Sequence, residues 1–248
     1  MKKVLVITGG SSGIGAAIAS LAANEKYSIC INYRNSTDKA ETLSTELSDL
    51  GANVISVKAD ISTENGVLDL FEEVDSTLGT VTHLVNNAGI ISPIQPFEEY
   101  SYSRLQEIFG INVIGSFLCA REAVKRMSTK LGGIGGVIVN ISSVAASLGS
   151  PNEFIDYAAS KGAIDTLTVG LSKEVAEYGI RVNGVRPGLI DTEIHAHAGD
   201  PQRVERFRNS IPMKRAGSAE EVAKAVVWLL SDNSSYVTGS IVNVSGGR

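Results

Sequence analysis

The chain has 248 residues, 43% of them hydrophobic and 20% charged, a composition typical of a globular protein with one large domain or two small ones. Its 22 basic and 27 acidic residues give a net charge of −5, and there is no basic block, so nucleic acid is not an expected partner. No apolar stretch is long enough to cross a membrane. Cys30 and Cys119 each lie in an apolar segment, which favours two buried thiols and a reducing cytoplasm over a disulfide.

A glycine-rich turn follows the first predicted strand, Val4 to Ile7, and leads into an apolar segment with helical spacing at 16–22. Glycine lets the backbone approach a pyrophosphate closely, and a helix N-terminus offers free N–H groups and the positive end of its dipole. This context predicts a dinucleotide phosphate site rather than a tight turn without a ligand. The turn reads Thr8-Gly9-Gly10-Ser11-Ser12-Gly13-Ile14-Gly15.

The end of the second predicted strand, at 28–33, bears on the choice between the two nicotinamide cofactors. An acidic side chain at this place would hold the ribose hydroxyls and repel a 2′-phosphate. This chain has Asn32, Tyr33 and then Arg34, whose guanidinium could pair with a 2′-phosphate. We therefore favour NADP over NAD, with a solvated loop arginine as the alternative.

Strands and helices alternate along the rest of the chain. Further strands are predicted at 54–57, from Leu84, and at 137–141, 181–185 and 240–244. Helices are predicted at 38–50, around 67–74, at 101–130, from the segment of Tyr157 to about Tyr178, and at 219–230. The alternation predicts an α/β fold over residues 1–248, a single-domain, doubly wound parallel sheet with helices on both faces.

Several notable residues follow predicted strands. The glycine turn, Asp60, Asn87, Ser143 and the pair Pro187-Gly188 all occupy such positions. Ligands of open parallel sheets bind beyond the carboxyl ends of the strands. The sequence therefore predicts that these residues meet at one site.

Tyr157 and Lys161 lie four residues apart in a predicted helix, so their side chains share one face. A tyrosine titrates near pH ~10, and a neighbouring cation stabilises the phenolate and lowers its pKa. The pair could act as a proton donor and acceptor, or it could be a solvated surface pair. Its position downstream of a predicted nucleotide site favours the catalytic interpretation.

Together these motifs resemble the short-chain dehydrogenase/reductase family over essentially the whole chain. The resemblance implies a Rossmann-like sheet of about seven strands and an NAD(P)-dependent oxidoreductase that interconverts a carbonyl and an alcohol by hydride transfer. The motifs that carry it are Thr8-Gly9-x-x-x-Gly13-x-Gly15, Asp60, Asn86-Asn87-Ala88-Gly89, Asn112, Ser143, Tyr157-x-x-x-Lys161 and Pro187-Gly188.

The resemblance implies a role for each of four catalytic residues. Tyr157 would be the general acid in carbonyl reduction and the base in alcohol oxidation. Lys161 would lower the pKa of Tyr157 and hold the nicotinamide ribose. Ser143, with the adjacent Ser142 as the alternative, would hydrogen-bond the substrate oxygen. Asn112 would hold a water that links Lys161 to solvent.

The resemblance also implies a set of cofactor contacts. Many NADP-preferring members carry a basic residue at the position of Ser12, so in this chain Arg34 alone supports NADP. The implied contacts are Gly9, Ser11, Ser12, Gly13, Ile14 and Gly15 at the pyrophosphate, Arg34 at the 2′-phosphate, Asp60 and Ile61 at the adenine, Asn87, Ala88 and Gly89 at the centre, Tyr157 and Lys161 at the nicotinamide end, and Pro187, Gly188, Ile190 and Thr192 around the carboxamide.

Two rival interpretations concern the function. A nucleotide-binding sensor or scaffold of the same fold, without turnover, is disfavoured because such relatives usually lose the tyrosine or the lysine. A metal site at His195-Ala196-His197 with Asp191 or Glu193 is also disfavoured, since these residues lie in an irregular, variable segment. We expect no metal.

The substrate and the assembly are matters of resemblance. Residues 190–215 are expected to form a lid, and the pocket loops are expected at 90–100 and 144–156. A 3-oxoacyl thioester, a sugar lactol and a small ketone all remain open. The ending Tyr236-Val237-Thr238-Gly239 implies a homotetramer. The pocket segments carry the mostly apolar side chains Ile91, Pro93, Ile94, Leu148, Phe154, Ile155, His195 and Met213, and Arg203, Arg206 and Arg208 on the lid are expected to be solvated.

Overall fold

The structure is a computed structural model that describes residues 2–193, 199–200 and 202–248. Within these residues seven parallel strands form one sheet in the order β3-β2-β1-β4-β5-β6-β7. The expected doubly wound sheet is confirmed, and its strand order reverses at β1 and β4, where a crevice opens at the carboxyl ends. The strands are β1 (Val4–Ile7), β2 (Ser28–Tyr33), β3 (Val54–Lys58), β4 (His83–Asn86), β5 (Gly136–Ile141), β6 (Ile180–Pro187) and β7 (Ile241–Val244).

Helices connect the strands and cover both faces of the sheet. They are α1 (Gly13–Asn24), α2 (Thr37–Asp49), α3 (Glu64–Thr77), α4 (Tyr102–Phe109), α5 (Ser116–Met127), α6 (Ala145–Leu148), α7 (Ile155–Val175), α8 (Arg203–Phe207) and α9 (Ala219–Leu230). Within the described ranges no helix is both long and apolar enough to span a bilayer.

The core has one layer on each face of the sheet, because alternate strand residues point to opposite sides. On one face Leu5 and Ile7 pack with helices α1, α2 and α9. On the other face Val4 and Val6 pack with α3 and α5. Both cysteines are fully buried free thiols, as the sequence predicts.

The helix predicted over 101–130 is interrupted by a wider turn. A π-helical segment, Gly110–Gly115, joins α4 to α5. A Cβ atom on Gly115 would lie 2.9 Å from the carbonyl oxygen of Ile61, so the close approach of these segments requires glycine. Such π-helical turns often occur at functional sites, and this one contains Asn112.

Candidate active site

The turn between β1 and α1 is bound to the end of β4. The Thr8 hydroxyl accepts hydrogen bonds from the backbone N–H groups of Asn87 and Ala88, both at 3.0 Å. The Asn87 amide donates back to the carbonyl oxygens of Thr8 at 3.0 Å and Gly9 at 2.9 Å. These contacts satisfy polar groups that would be costly to bury alone, and they fix the two strand ends relative to each other.

The glycines of this turn leave space that a side chain would fill. A Cβ atom on Gly9, which has φ +60°, would lie 2.9 Å from the Cα atom of Ala88. A Cβ atom on Gly15 would lie 2.5 Å from the Gly9 carbonyl oxygen. Helix α1 has Ser12 at its N-cap without a side-chain capping bond, and its first turn has no acidic residue. The turn therefore fits an anionic group such as a pyrophosphate.

Arg34 is exposed at the end of β2 and lies near two acidic side chains. Its guanidinium is 3.8 Å from the Asp60 carboxylate and 4.0 Å from that of Glu107. Burial alone would raise the Asp60 pKa, but hydrogen bonds from the Ser62 hydroxyl and N–H, together with Arg34, lower it below its ordinary value. Asn32 is buried, and its amide donates to the Ala59 carbonyl at 3.1 Å, so it joins strands β2 and β3.

Tyr157 lies in the first turn of α7, with Lys161 one turn further along the same face. The Lys161 ammonium is 5.6 Å from the centre of the Tyr157 ring. It donates a hydrogen bond to the Ile141 carbonyl at the end of β5, at 2.8 Å. The side chain of Ser143 hydrogen-bonds Tyr157. The structure thus brings the predicted tyrosine, lysine and serine together where β5 meets α7.

The effect of Lys161 on the pKa of Tyr157 stays a prediction, because burial is the main influence on that pKa in this structure. Burial raises the pKa of the Tyr157 phenol above its ordinary value, and the hydrogen bond with Ser143 opposes that rise only in part. Burial also lowers the pKa of Lys161 to about 8, against a smaller opposing effect of Asp165. The ammonium donates to the Ile141 carbonyl and lies beside the Tyr157 ring, 5.6 Å from its centre.

The two adjacent serines have different surroundings. Ser142 is 2% exposed, and its hydroxyl donates to the Lys161 carbonyl at 3.2 Å. Ser143 is half-buried, and its hydroxyl accepts from the Ala145 N–H at 3.1 Å in addition to its bond with Tyr157. Ser142 therefore ties β5 to α7, and Ser143 is the serine beside the phenol.

Asn112 is fully buried, and its side chain is engaged on three sides. Its amide nitrogen donates to the Ile90 carbonyl at 3.0 Å and to the Ser160 hydroxyl at 3.1 Å. Its oxygen accepts from the Ile90 N–H at 2.8 Å. These bonds tie the π-helical segment to α7 and to the chain after β4, and the water that the resemblance implies at Asn112 stays a prediction.

A cavity of about 560 Å³ runs along the carboxyl ends of the strands, from the β1–α1 turn to Tyr157. Its walls contain most of the predicted cofactor contacts, while Gly15, Asn112 and Ser143 lie behind or beside them. The predicted residues that line it are Gly9, Ser11, Ser12, Gly13, Ile14, Arg34, Asp60, Ile61, Asn87, Ala88, Gly89, Tyr157, Lys161, Pro187, Gly188, Ile190 and Thr192, together with Ser142, the alternative to Ser143.

The part of the cavity next to Tyr157 differs from the sequence prediction. Ile91, Leu148 and Phe154 line it as expected, but Pro93, Ile94, Ile155 and Met213 are exposed residues outside its walls. Three of these lie in loops and Ile155 is the first residue of α7, so no periodic pattern indicates which way they point.

Arg203 was expected to be solvated, and this prediction is wrong. Its side chain is only 10% exposed, and its guanidinium donates to both Glu153 carboxylate oxygens, at 2.9 and 2.6 Å. It also lies over the rings of Phe154 and Phe207, 5.0 Å from each centre. Arg203 and Arg248 line the cavity, which sequence reasoning missed because their partners are distant in sequence.

The expected lid and the candidate metal pair are described only in part. Residues 194–198, which include His195 and His197, and residue 201 lie outside the described residues. Among residues 2–193, 199–200 and 202–248, no group of three or more His, Cys, Asp or Glu side chains is arranged to hold a metal.

Sequence comparison relates the chain to known oxidoreductases. Residues 9–248 match the family model described as enoyl-(acyl carrier protein) reductase. The chain is 52% identical to an uncharacterised oxidoreductase of Escherichia coli over 99% of both chains. It is 36% identical to glucose 1-dehydrogenase 2 of Bacillus subtilis, over 99% of this chain and 94% of that one.

A solved structure shows the same fold. The 3-ketoacyl-(acyl-carrier-protein) reductase of Brucella melitensis, complexed with NADH, superposes with a TM-score of 0.91 at 33% identity. The match covers 99% of this chain and 98% of that one. The chain belongs to the short-chain dehydrogenase/reductase family, whose members are oxidoreductases that use a nicotinamide cofactor.

Proposed function

We propose that the protein is an NADP-preferring oxidoreductase that interconverts a ketone or aldehyde and the corresponding alcohol. The observation that carries the proposal is the placement of Tyr157. Its ring lies in the wall of a cavity whose other end is the glycine-rich turn, and it is joined to Ser143 by a hydrogen bond. A dinucleotide whose phosphates lie at the turn would place its reactive end near the phenol.

Carbonyl reduction needs a hydride at carbon and a proton at oxygen. The hydride would come from a nicotinamide cofactor bound in the cavity. Tyr157 donates its phenolic proton to the carbonyl oxygen, and its raised pKa keeps it protonated at neutral pH. Ser143 donates a hydrogen bond to the same oxygen as negative charge develops there. Lys161 holds the ribose and stabilises the phenolate that remains, and in alcohol oxidation the proton returns to Tyr157.

The NADP preference rests on Arg34. Its guanidinium is exposed at the adenine end of the cavity, and its two acidic neighbours are no closer than 3.8 Å, so it can turn to a 2′-phosphate. We expect Arg34→Ala to raise the Kd for NADPH at least about tenfold and the Kd for NADH less than about twofold. Equal changes in the two constants would remove the basis for NADP. Fluorescence titration with each reduced cofactor measures both values.

The substrate binds in the part of the cavity that Ile91, Leu148 and Phe154 line. These apolar walls support a substrate with a hydrophobic body next to its carbonyl. The relatives' names differ in substrate, a sugar in one case and a ketoacyl carrier protein in another. A 3-oxoacyl thioester, a sugar lactol and a small ketone therefore make up the first assay panel.

The assembly we propose is a homotetramer in the cytoplasm. Large apolar side chains are exposed on α5 at Phe117, on the π-helical segment at Ile114, on α9 at Trp228 and before β7 at Tyr236. Exposed apolar groups on separate faces support more than one subunit contact. Light scattering should give the mass of four chains, and a monomer would contradict the assembly. Two buried free thiols support a reducing compartment.

Turnover by wild type and Tyr157→Phe tests the function directly. We expect wild type to oxidise NADPH with at least one carbonyl class of the panel. The variant, which lacks only the hydroxyl, should lose turnover by about 1,000-fold or more and bind NADPH with a Kd within about twofold of wild type. A variant that keeps substantial turnover would show that Tyr157 is not the proton donor.

A further inference from the structure

The start of α7 lacks the usual means of satisfying its backbone. Phe154 is the N-cap residue and makes no side-chain capping bond. The first N–H groups of a helix have no partner within the helix, and an unpaired buried N–H is costly. Tyr157 belongs to this first turn, so whatever holds the turn also holds the phenol.

Asp156 supplies one of the missing partners. Its carboxylate accepts a hydrogen bond from the Tyr157 N–H at 2.9 Å. The Tyr100 hydroxyl supplies another, since it accepts from the Ile155 N–H at 3.3 Å. Tyr100 and Asp156 thus serve as the cap that Phe154 cannot provide.

Arg104 on α4 binds both of these capping groups. Its Nε donates to one Asp156 oxygen at 2.7 Å and its Nη2 to the other at 3.3 Å. Its guanidinium lies over the Tyr100 ring, 4.1 Å from the centre. Its Nη1 donates to the Pro93 carbonyl at 2.7 Å and to the Gln95 side chain at 3.2 Å. One guanidinium therefore joins α4, the loop at 93–95 and the start of α7.

This ion pair is deeply buried, with side-chain exposures of 8% for Arg104 and 0% for Asp156. Burying two charges costs desolvation that their attraction often fails to offset, and apolar residues of similar size commonly give equal or greater stability. The stability of the fold therefore does not explain the pair. Its contact with the backbone of Tyr157 indicates a role in the reaction.

We propose that the Arg104–Asp156 pair positions Tyr157 for proton transfer, by fixing the first turn of α7 against α4 and the 93–95 loop. Neither residue touches the reacting atoms. Both are positioning residues that act through the Tyr157 backbone. The inference rests on the proposed function of Tyr157 as proton donor, and it assigns two residues outside the cavity to the same step.

Two paired substitutions separate positioning from folding. Arg104→Met with Asp156→Leu replaces the pair by apolar side chains and leaves no unpaired buried charge. Arg104→Gln with Asp156→Asn also removes both charges, but it keeps an amide oxygen that can accept from the Tyr157 N–H. The Asp75→Asn variant is the matched control, because it breaks an ion pair with Arg126 of 2.6 Å on other helices.

Turnover per NADPH-binding site is the readout, so that unfolded chains do not enter the rate. We expect the apolar pair to lower kcat at least about 30-fold, with the Kd for NADPH within about twofold of wild type, because small misplacements of a reacting group are costly. The amide pair should restore kcat to within about fivefold of wild type, and Asp75→Asn should leave kcat unchanged.

Either of two results would overturn the proposal: an apolar pair with kcat within about threefold of wild type, or an amide pair as slow as the apolar pair. Tyr157→Phe is measured alongside. Retained turnover in that variant means that the proposed function fails. An inactive Tyr157→Phe with a fast apolar pair means that only the positioning inference fails.

Discussion

The two ends of the cavity are built by opposite means. At the nucleotide end, glycines and hydrogen bonds between side chains and backbone hold the ends of β1 and β4 so close together that a Cβ atom on Gly9 would overlap the Ala88 backbone. At the catalytic end, buried charges hold the start of α7, through Asp156 with Arg104 and Glu153 with Arg203. The nucleotide end has no room for added volume, and the catalytic end cannot tolerate an unpaired charge.

After the loss expected for Tyr157→Phe, the largest expected effect separates the two serines at the catalytic end. Ser143→Ala should lower kcat by about 100-fold or more, because it removes a hydrogen bond to the oxygen on which charge develops. Ser142→Ala should leave kcat within about threefold and lower the unfolding free energy by about 1 kcal/mol, since its hydroxyl donates to the Lys161 carbonyl. Steady-state kinetics and urea unfolding measure the two effects. The reverse pattern would exchange the roles of the two serines.

A second prediction concerns the charge that the catalytic end buries. The Lys161 pKa is about 8 in the folded chain, against an ordinary value of 10.5. Between these pH values the unfolded chain binds more protons than the folded chain, so stability rises with pH across this window. Relative to Lys161→Met, wild type without cofactor should gain about 3 kcal/mol of unfolding free energy from pH 7.5 to pH 10.5.

Urea unfolding at the two pH values measures this gain. Lys173 is the matched control, since it is an exposed lysine on the same helix, α7. Its side chain is exposed to water in the folded chain, so Lys173→Met should differ from wild type by a similar amount at both pH values. A wild-type stability that tracks Lys161→Met at every pH would mean that the buried ammonium costs nothing.

The smallest expected effect belongs to the nucleotide end. Gly9→Ala should raise the Kd for NADPH by about tenfold, the equivalent of ~1.4 kcal/mol, because the methyl group displaces the turn from Ala88. Gly132→Ala is the matched control, since Gly132 also has positive φ, +91°, but has nothing within 4 Å of an added Cβ. Both variants should lose about 1 kcal/mol of unfolding free energy to backbone strain. If both weaken NADPH binding equally, strain and not crowding is the cause.

The same contrast explains what the sequence could predict. The nucleotide end is local: the strand, the glycines and the helix of residues 4–24 are contiguous, so the order of residue types predicts the turn. The catalytic end depends on partners far apart, such as Arg104 and Asp156, which are separated by 52 positions. Arg203 looked like a solvated lid residue because its partner Glu153 lies 50 positions away. Spacing along one helix cannot reveal such pairs.

Two predicted helix boundaries differ from the structure for a related reason. Leu50 fits the apolar pattern of the helix predicted over 38–50, but α2 ends at Asp49 and Leu50 is 80% exposed. The π-helical turn at 110–115 keeps the apolar pattern of an ordinary helix, and Gly115 within it has no room for a Cβ atom beside Ile61. In neither case does the pattern of apolar residues alone indicate the local geometry.

The position of β1 in the sheet also determines the order in which parts of the site can form during synthesis. β1 is synthesised before the other strands of the sheet, yet it lies between β2 and β4. The bond from Asn87 to Thr8, just after β1, joins residues 79 positions apart. One edge of β1 therefore stays unpaired until β4 has been synthesised. The turn between β1 and α1 can bind the end of β4 at that stage, before α7 and Tyr157 have been synthesised. The nascent chain can thus gain its cofactor-binding turn well before it can acquire activity.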